Sequence, residues 1–90
     1  MLRAYRRSNN ADTAALKEAI GRQDIGAVAQ VSHRLMGAGR IAGAMALATI
    51  CEEIERAARA GSWAGVAANS DACCRELERV NSYLSTVDDI

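Results

Sequence analysis

The chain contains no proline and no phenylalanine, and its 90 residues include one tryptophan and two tyrosines. Without proline, nothing in the covalent chain interrupts a long helix. Without a stock of large aromatics, the core must come from Ala, Leu, Ile and Val, so helices have to approach closely through small side chains. Charge of one sign is also missing, because 11 Lys and Arg balance 11 Asp and Glu. That balance argues against a nucleic-acid binder, which carries a basic excess or stripe. The one basic cluster, Arg3, Arg6 and Arg7, reads as a solvated helix end rather than a binding arm. No apolar run approaches the roughly 20 residues that span a bilayer. The first residues also lack the apolar segment of a secretory signal, so no direct membrane contact is expected.

What is present bounds the architecture. A chain of this length forms one domain, residues 1–90, and buries roughly 60–65% of its unfolded surface. That suffices for one modest core and no deep cleft. Cys51, Cys73 and Cys74 are odd in number, and adjacent cysteines on a helix point about 100° apart. They read as reduced, mostly buried thiols of a cytoplasmic protein. No metal site is expected, since the lone histidine is far from all three in sequence.

The apolar spacing is helical throughout, and the fold class is all-α. Leu2 to Arg7 reads as a short N-terminal helix, closed by Asn9, Asn10 and Asp12, whose side chains suit turns and N-caps. From Thr13 to Arg22, Ala15, Leu16, Ala19 and Ile20 recur at helical spacing, and Gly21 and Asp24 mark the next break. A second bundle helix runs from about Ile25 to Ile41, with Ile25, Val28, Ser32, Leu35 and Gly39 facing inward. Gly43 leads into a third, Ala44 to about Ala60, which buries Leu47, Ile50, Cys51, Ile54, Ala57 and Ala58. Its Glu52, Glu53, Glu55, Arg56 and Arg59 read as a solvated face. Gly61 and Ser62 suit a helix stop and a new N-cap, and Trp63 caps one end of the core. The last helix repeats Val66, Ser70, Cys73, Leu77, Val80, Leu84 and Val87 in heptads. These segments predict an antiparallel up-down four-helix bundle over about residues 12–87, preceded by the short extra helix.

The only histidine, His33, lies in the run Ser32-His33-Arg34-Leu35-Met36-Gly37-Ala38-Gly39-Arg40. His33, Met36, Gly37 and Arg40 form a stripe offset from the inner one, so the imidazole faces outward while Leu35 packs inward. Gly37 and Gly39 each cost a helix about 0.8–1.0 kcal/mol relative to Ala. Gly39 falls on the inner stripe, where it suits close helix packing. Gly37 falls beside the histidine, where a bare backbone suits the close approach of something else. Arg34 and Arg40 place positive charge within reach of an anionic group on the ring. Gln30 and Arg34 flank His33 as candidate polar contacts, and Leu35, Met36, Ala38 and Ile41 form a candidate apolar rim. No second titratable residue is visibly paired with His33.

His33, Leu35, Gly37, Gly43 and Ala44 resemble the signature of histidine-containing phosphotransfer (HPt) domains, and the helix pattern over roughly residues 10–85 is similar as well. The resemblance implies that His33 is the phospho-acceptor of a His–Asp phosphorelay, taking a phosphoryl group from one receiver-domain aspartate and passing it to another. It implies receiver domains as partners, with Mg²⁺ on the receiver and no cofactor here. It also implies a carrier without kinase chemistry of its own. The family's usual Lys, three residues after the histidine, is Met36 here, and a thioether carries no charge. Arg40 is expected to substitute in part, with Arg34 the weaker candidate.

The chain is expected to be a monomer as an isolated domain. It is further expected to be the C-terminal module of a hybrid sensor histidine kinase, in the cytoplasm, alone or as the cytoplasmic part of a membrane-bound kinase. Two other functions fit the same residues. One is a receiver-binding adaptor that transfers nothing; the other is a self-associating module built on the last helix.

Overall fold

The computed structural model describes residues 2–88, which form four helices: α1 (Leu2–Gly21), α2 (Ile25–Ala42), α3 (Met45–Arg59) and α4 (Trp63–Asp88). Each packs on the next in sequence, and α1 packs on α4, which closes a bundle 42 Å long with a cross-section of 22 × 18 Å. No strand occurs among the described residues.

The core follows the apolar spacing. Val28, Leu35, Leu47, Ile54, Val66 and Leu77 are its largest fully buried aliphatic side chains. The heptad of α4 is used within the chain, since Val66, Cys73, Leu77, Val80 and Leu84 are all buried against neighbouring helices. The Val87 side chain lies outside the described residues. Trp63 packs half-buried against the core edge. Cys51 and Cys73 are free thiols with sulfurs 4.0 Å apart inside the core, and Cys74 is half-buried. The hydrogen bond with Cys73, together with burial, pushes the Cys51 thiol up and keeps it protonated.

The separate N-terminal helix expected from the sequence is absent, because α1 continues through Asn9–Asp12 without a break. The polar side chains that suggested a turn are engaged elsewhere. Asn9 is buried, and its Nδ2 donates to Asn81 Oδ1 of α4 at 2.7 Å. Asp12 accepts from the Arg34 guanidinium of α2 at 3.2 Å, and Thr13 Oγ1 donates to the Asn9 carbonyl at 2.6 Å. Neighbouring helices thus supply the partners that a cap would have supplied.

All three connections stop their helix in the same way. A left-handed residue lets its own N–H and the next one reach back to orphan carbonyls of the last turn. After α2 this residue is Gly43 (φ 83°), with Ala44 N donating to Gly39 O at 2.8 Å. After α3 it is Gly61 (φ 74°), with Ser62 N donating to Ala57 O at 2.9 Å. After α1 it is Gln23 (φ 55°), not Gly21, and Asp24 N donates to Ala19 O at 2.9 Å. Gly21 stays helical, because the stop falls two residues later, immediately before the cap of α2. The Asp24 carboxylate accepts from Ala27 N at 3.1 Å, and Ser62 Oγ accepts from Gly65 N at 3.0 Å. Both capping assignments made from the sequence hold.

A left-handed conformation costs a residue with a Cβ about 1–2 kcal/mol, part of which glycine returns as unfolded-state entropy. Gln23→Gly is therefore expected to stabilise the domain by about 0.5–1 kcal/mol in urea unfolding.

Candidate functional site

His33 sits halfway along α2, on the edge that faces α3. Asp24 caps the start of this helix and Gly43 ends it, which fixes the histidine's height along the bundle. Its side chain is 60% exposed, while Leu35, two residues on, is fully buried. The offset stripes read from the sequence thus place the imidazole outside the core.

Both carboxylate oxygens of Glu55, on α3, lie 3.1 Å from His33 Nδ1. An ionised carboxylate only accepts, so Nδ1 is a donor in this contact, and in the neutral ring the lone pair then lies on Nε2. Glu55 is itself fixed: its side chain is 13% exposed, and its Oε2 accepts from Arg59 Nε at 2.8 Å. Burial opposes ionisation of this carboxyl, but hydrogen bonds from Arg59 and His33 outweigh it and hold its pKa below the ordinary value. The result is a chain of contacts from Arg59 through Glu55 to the ring, with the far nitrogen exposed.

An open depression of about 350 Å³ surrounds the ring, lined by His33, Met36, Arg40, Glu52, Glu55, Arg56 and Arg59. Glu52 plays a role parallel to that of Glu55, accepting from Arg40 at 2.6 Å and from Arg56 at 3.2 Å. The site thus joins one nucleophilic nitrogen to three guanidinium groups, each braced by a carboxylate. Among the described residues, no three His, Cys, Asp or Glu side chains converge as metal ligands do.

The sequence-derived candidates divide. Arg40 enters the depression and so does Met36, but Met36 is buried, forming its floor rather than an exposed rim. Arg34 turns away to Asp12 of α1, on the other side of α2. Gln30 is exposed and does not line the depression. Gly37 is half-buried, and a Cβ added there would meet nothing within 4 Å. A Cβ at Gly39 would stand 3.4 Å from Ala44 O and 3.5 Å from Ala48 Cβ, ordinary van der Waals contacts that place this glycine on the packed seam with α3. Of the expected apolar rim, Leu35 and Met36 are buried and Ala38 half-buried, whereas Ile41 is 85% exposed.

Two expectations about α3 were wrong. Its Glu and Arg face is not simply solvated, and His33 does have a titratable partner, Glu55. A signal for this pairing existed: His33 and Glu55 stand equally far on either side of Ala44, so a hairpin of helices folded there brings them level. Arg59, four residues after Glu55, completes the pattern.

An exposed imidazole, held at one nitrogen on a helical bundle, stands where another molecule could reach it. The family comparison agrees: the Hpt domain profile matches residues 1–88, and the chain belongs to this family. Membership implies a histidine phosphotransfer role in a His–Asp phosphorelay, carried out as a phosphocarrier rather than as a catalyst, with response-regulator receiver domains as partners. No curated protein and no solved structure matched the chain. Among the described residues, no helix is long and apolar enough to cross a membrane.

Because its pKa is lowered on folding, the Glu55 carboxylate contributes stability above the ordinary Glu pKa. That contribution is lost as pH falls through the lowered value. Carboxyl-carbon NMR is expected to find the Glu55 midpoint below about 4.3. Arg59→Ala is expected to raise it, and Glu55→Gln to reduce the Nδ1–H tautomer fraction of His33 in ring-nitrogen spectra.

Proposed function

We propose that His33 Nε2 accepts a phosphoryl group from the aspartate of one receiver domain and passes it to a second. The observation that carries this reading is the 60% exposed ring, whose Nδ1 is tied to Glu55 and whose Nε2 is left open. In the transfer, the Nε2–P bond forms as the aspartyl C(O)O–P bond breaks, and the aspartate leaves as a carboxylate. The ring becomes an imidazolium, and the Glu55 carboxylate against Nδ1–H stabilises that charge. No proton needs to move. Phosphoryl transfer otherwise depends on in-line positioning and neutralisation of charge. Mg²⁺ belongs to the receiver side of the encounter, and this domain brings no cofactor.

Docking falls to the exposed face of α2. Gln30, His33, Gly37 and Ile41 follow one another there at helical spacing, and Arg34 borders the face on the α1 side. Among the described residues nothing lies within 4 Å of a Cβ built at Gly37, which supports a partner's backbone or loop coming close at that point. Arg40 lines the depression beside the ring, one turn beyond the position where the family's lysine is missing. The helices run antiparallel, as three short connections favour, and the isolated domain is monomeric. We place it in the cytoplasm, as the C-terminal module of a hybrid sensor kinase.

Met36 favours a second reading, in which the domain docks receivers but transfers nothing. Incubation with a phosphorylated receiver separates the two. Acid-labile, base-stable label on His33 that disappears in His33→Gln supports the carrier. Label that persists in that variant overturns the assignment, and receiver binding without any transfer supports the adaptor.

Gly37 offers an independent check. Gly37→Ala is expected to stabilise the fold by about 0.5–1 kcal/mol, since the added methyl touches nothing and improves helix propensity. Gly37→Leu should leave thermal unfolding unharmed yet slow receiver-dependent transfer by about tenfold or more, because the larger side chain occupies the partner's space.

A further inference from the structure

We propose that the cation meeting the phosphoryl group on His33 is supplied chiefly by α3, by Arg59, rather than by the histidine's own helix. This inference rests on the carrier reading and assigns a positioning charge within it. On α2, position 36 holds a buried thioether, and Arg34 is drawn to Asp12 on the opposite side. Arg40 is clamped by Glu52 at 2.6 Å, a short charge-assisted contact that holds its charge on the far carboxylate. Arg59 is placed differently. Its Nε donates to the same Glu55 oxygen that lies 3.1 Å from His33 Nδ1, so one carboxylate joins guanidinium and ring.

A guanidinium has five N–H donors in a planar fork, and the Glu55 contact occupies the one on Nε. Arg59 can therefore keep its place on Glu55 while its Nη groups turn to the phosphoryl oxygens on Nε2. Nothing has to break for this to happen. Phosphorylation adds about two negative charges to a depression already lined by Arg40, Arg56 and Arg59. Arg59 gains a second anion without leaving its first, and the carboxylate that holds it is the one against the ring, whereas Arg40 is anchored on Glu52, whose contacts are with Arg40 and Arg56. Position 36 is then relieved of a charged role, which accounts for a buried methionine there being compatible with phosphotransfer.

The test needs no receiver. Phosphoramidate phosphorylates the folded domain on His33, and ³¹P NMR follows the phosphoryl resonance through a pH titration. A cation beside the phosphoryl favours its dianion, so the wild-type midpoint is expected about 0.5–1 pH unit below that of Arg59→Ala. In the Arg59→Ala background, Met36→Lys should bring the midpoint back down, because a lysine stem can follow the buried path and place its ammonium at the lip. Arg40→Ala is expected to move the midpoint by less than Arg59→Ala. Arg59→Gln serves as a second variant, with thermal unfolding confirming that each protein is folded.

Equal midpoints in wild type and Arg59→Ala overturn the proposal. So does a rise that Met36→Lys fails to reverse, since the guanidinium would then be acting through Glu55 rather than on the phosphoryl. If the titration behaves as expected but no receiver donates to or discharges His33, the charge placement stands and the carrier reading fails.

Discussion

Where α2 ends, Gly39 packs against the start of α3 closely enough that a Cβ in its place would already be in van der Waals contact with the Ala44 carbonyl and with Ala48, leaving no room for anything larger than a methyl group. Much of the molecule depends on that close approach. With small residues at the crossing, the two backbones come near enough for side chains on their outer edges to meet across the seam. His33 and Glu55 are such a pair, and so are Arg40 and Glu52. A bulkier residue at position 39 would separate the helices, and a contact of 3.1 Å does not survive even a small separation. The ring would then keep its exposure but lose its fixed tautomer. The chemistry at the surface therefore depends on packing one and a half turns away, inside the hairpin.

Three glycines of this segment illustrate how one residue type meets three physical demands. At Gly39 the neighbouring helix stands at van der Waals distance from where a Cβ would be, so nothing larger than a methyl group fits. Gly43 takes a left-handed backbone that ends α2 and satisfies its last carbonyls. Gly37 meets neither demand, since its surroundings are open and its backbone is helical. Gly37 is thus a helix-weakening residue that the fold itself does not need, four residues from the exposed histidine. The charges around the ring have a related logic. Each arginine of the depression is held by a glutamate, so the cations are ordered beforehand at modest energetic cost in an open site.

Much of this was legible from residue order. The inner stripe of α2, most buried positions of α3 and α4 (Ile50, Ala57 and Ser70 are only half-buried, and buried Ala48 was not expected), the caps at Asp24 and Ser62 and the stops at Gly43 and Gly61 follow from helical periodicity and local backbone chemistry. The failures share one cause. Asn9, Asn10 and Asp12 looked like a turn because their side chains compete with the helix locally, yet Asn81 and Arg34 draw two of them into contacts between helices. Gly21 looked like the stop, but the position of the turn was set by where α2 must begin, and a glutamine took the left-handed place. Glu55 looked like one more exposed acid in a run of three, because nothing local distinguishes the carboxylate that faces a histidine from those that face water.

Periodicity, capping residues and the lone histidine in its glycine-bearing run determined on their own that the chain is helical, which faces are buried and that the one imidazole stands outside the core. Those properties depend on neighbours within about one helical turn, and such neighbours are fixed by the order of residues. The partner of the ring, the braced arginines and the unbroken first helix were decided only in three dimensions. Each depends on two helices meeting at a given height and rotation, which the close packing of the whole bundle sets and no single segment encodes.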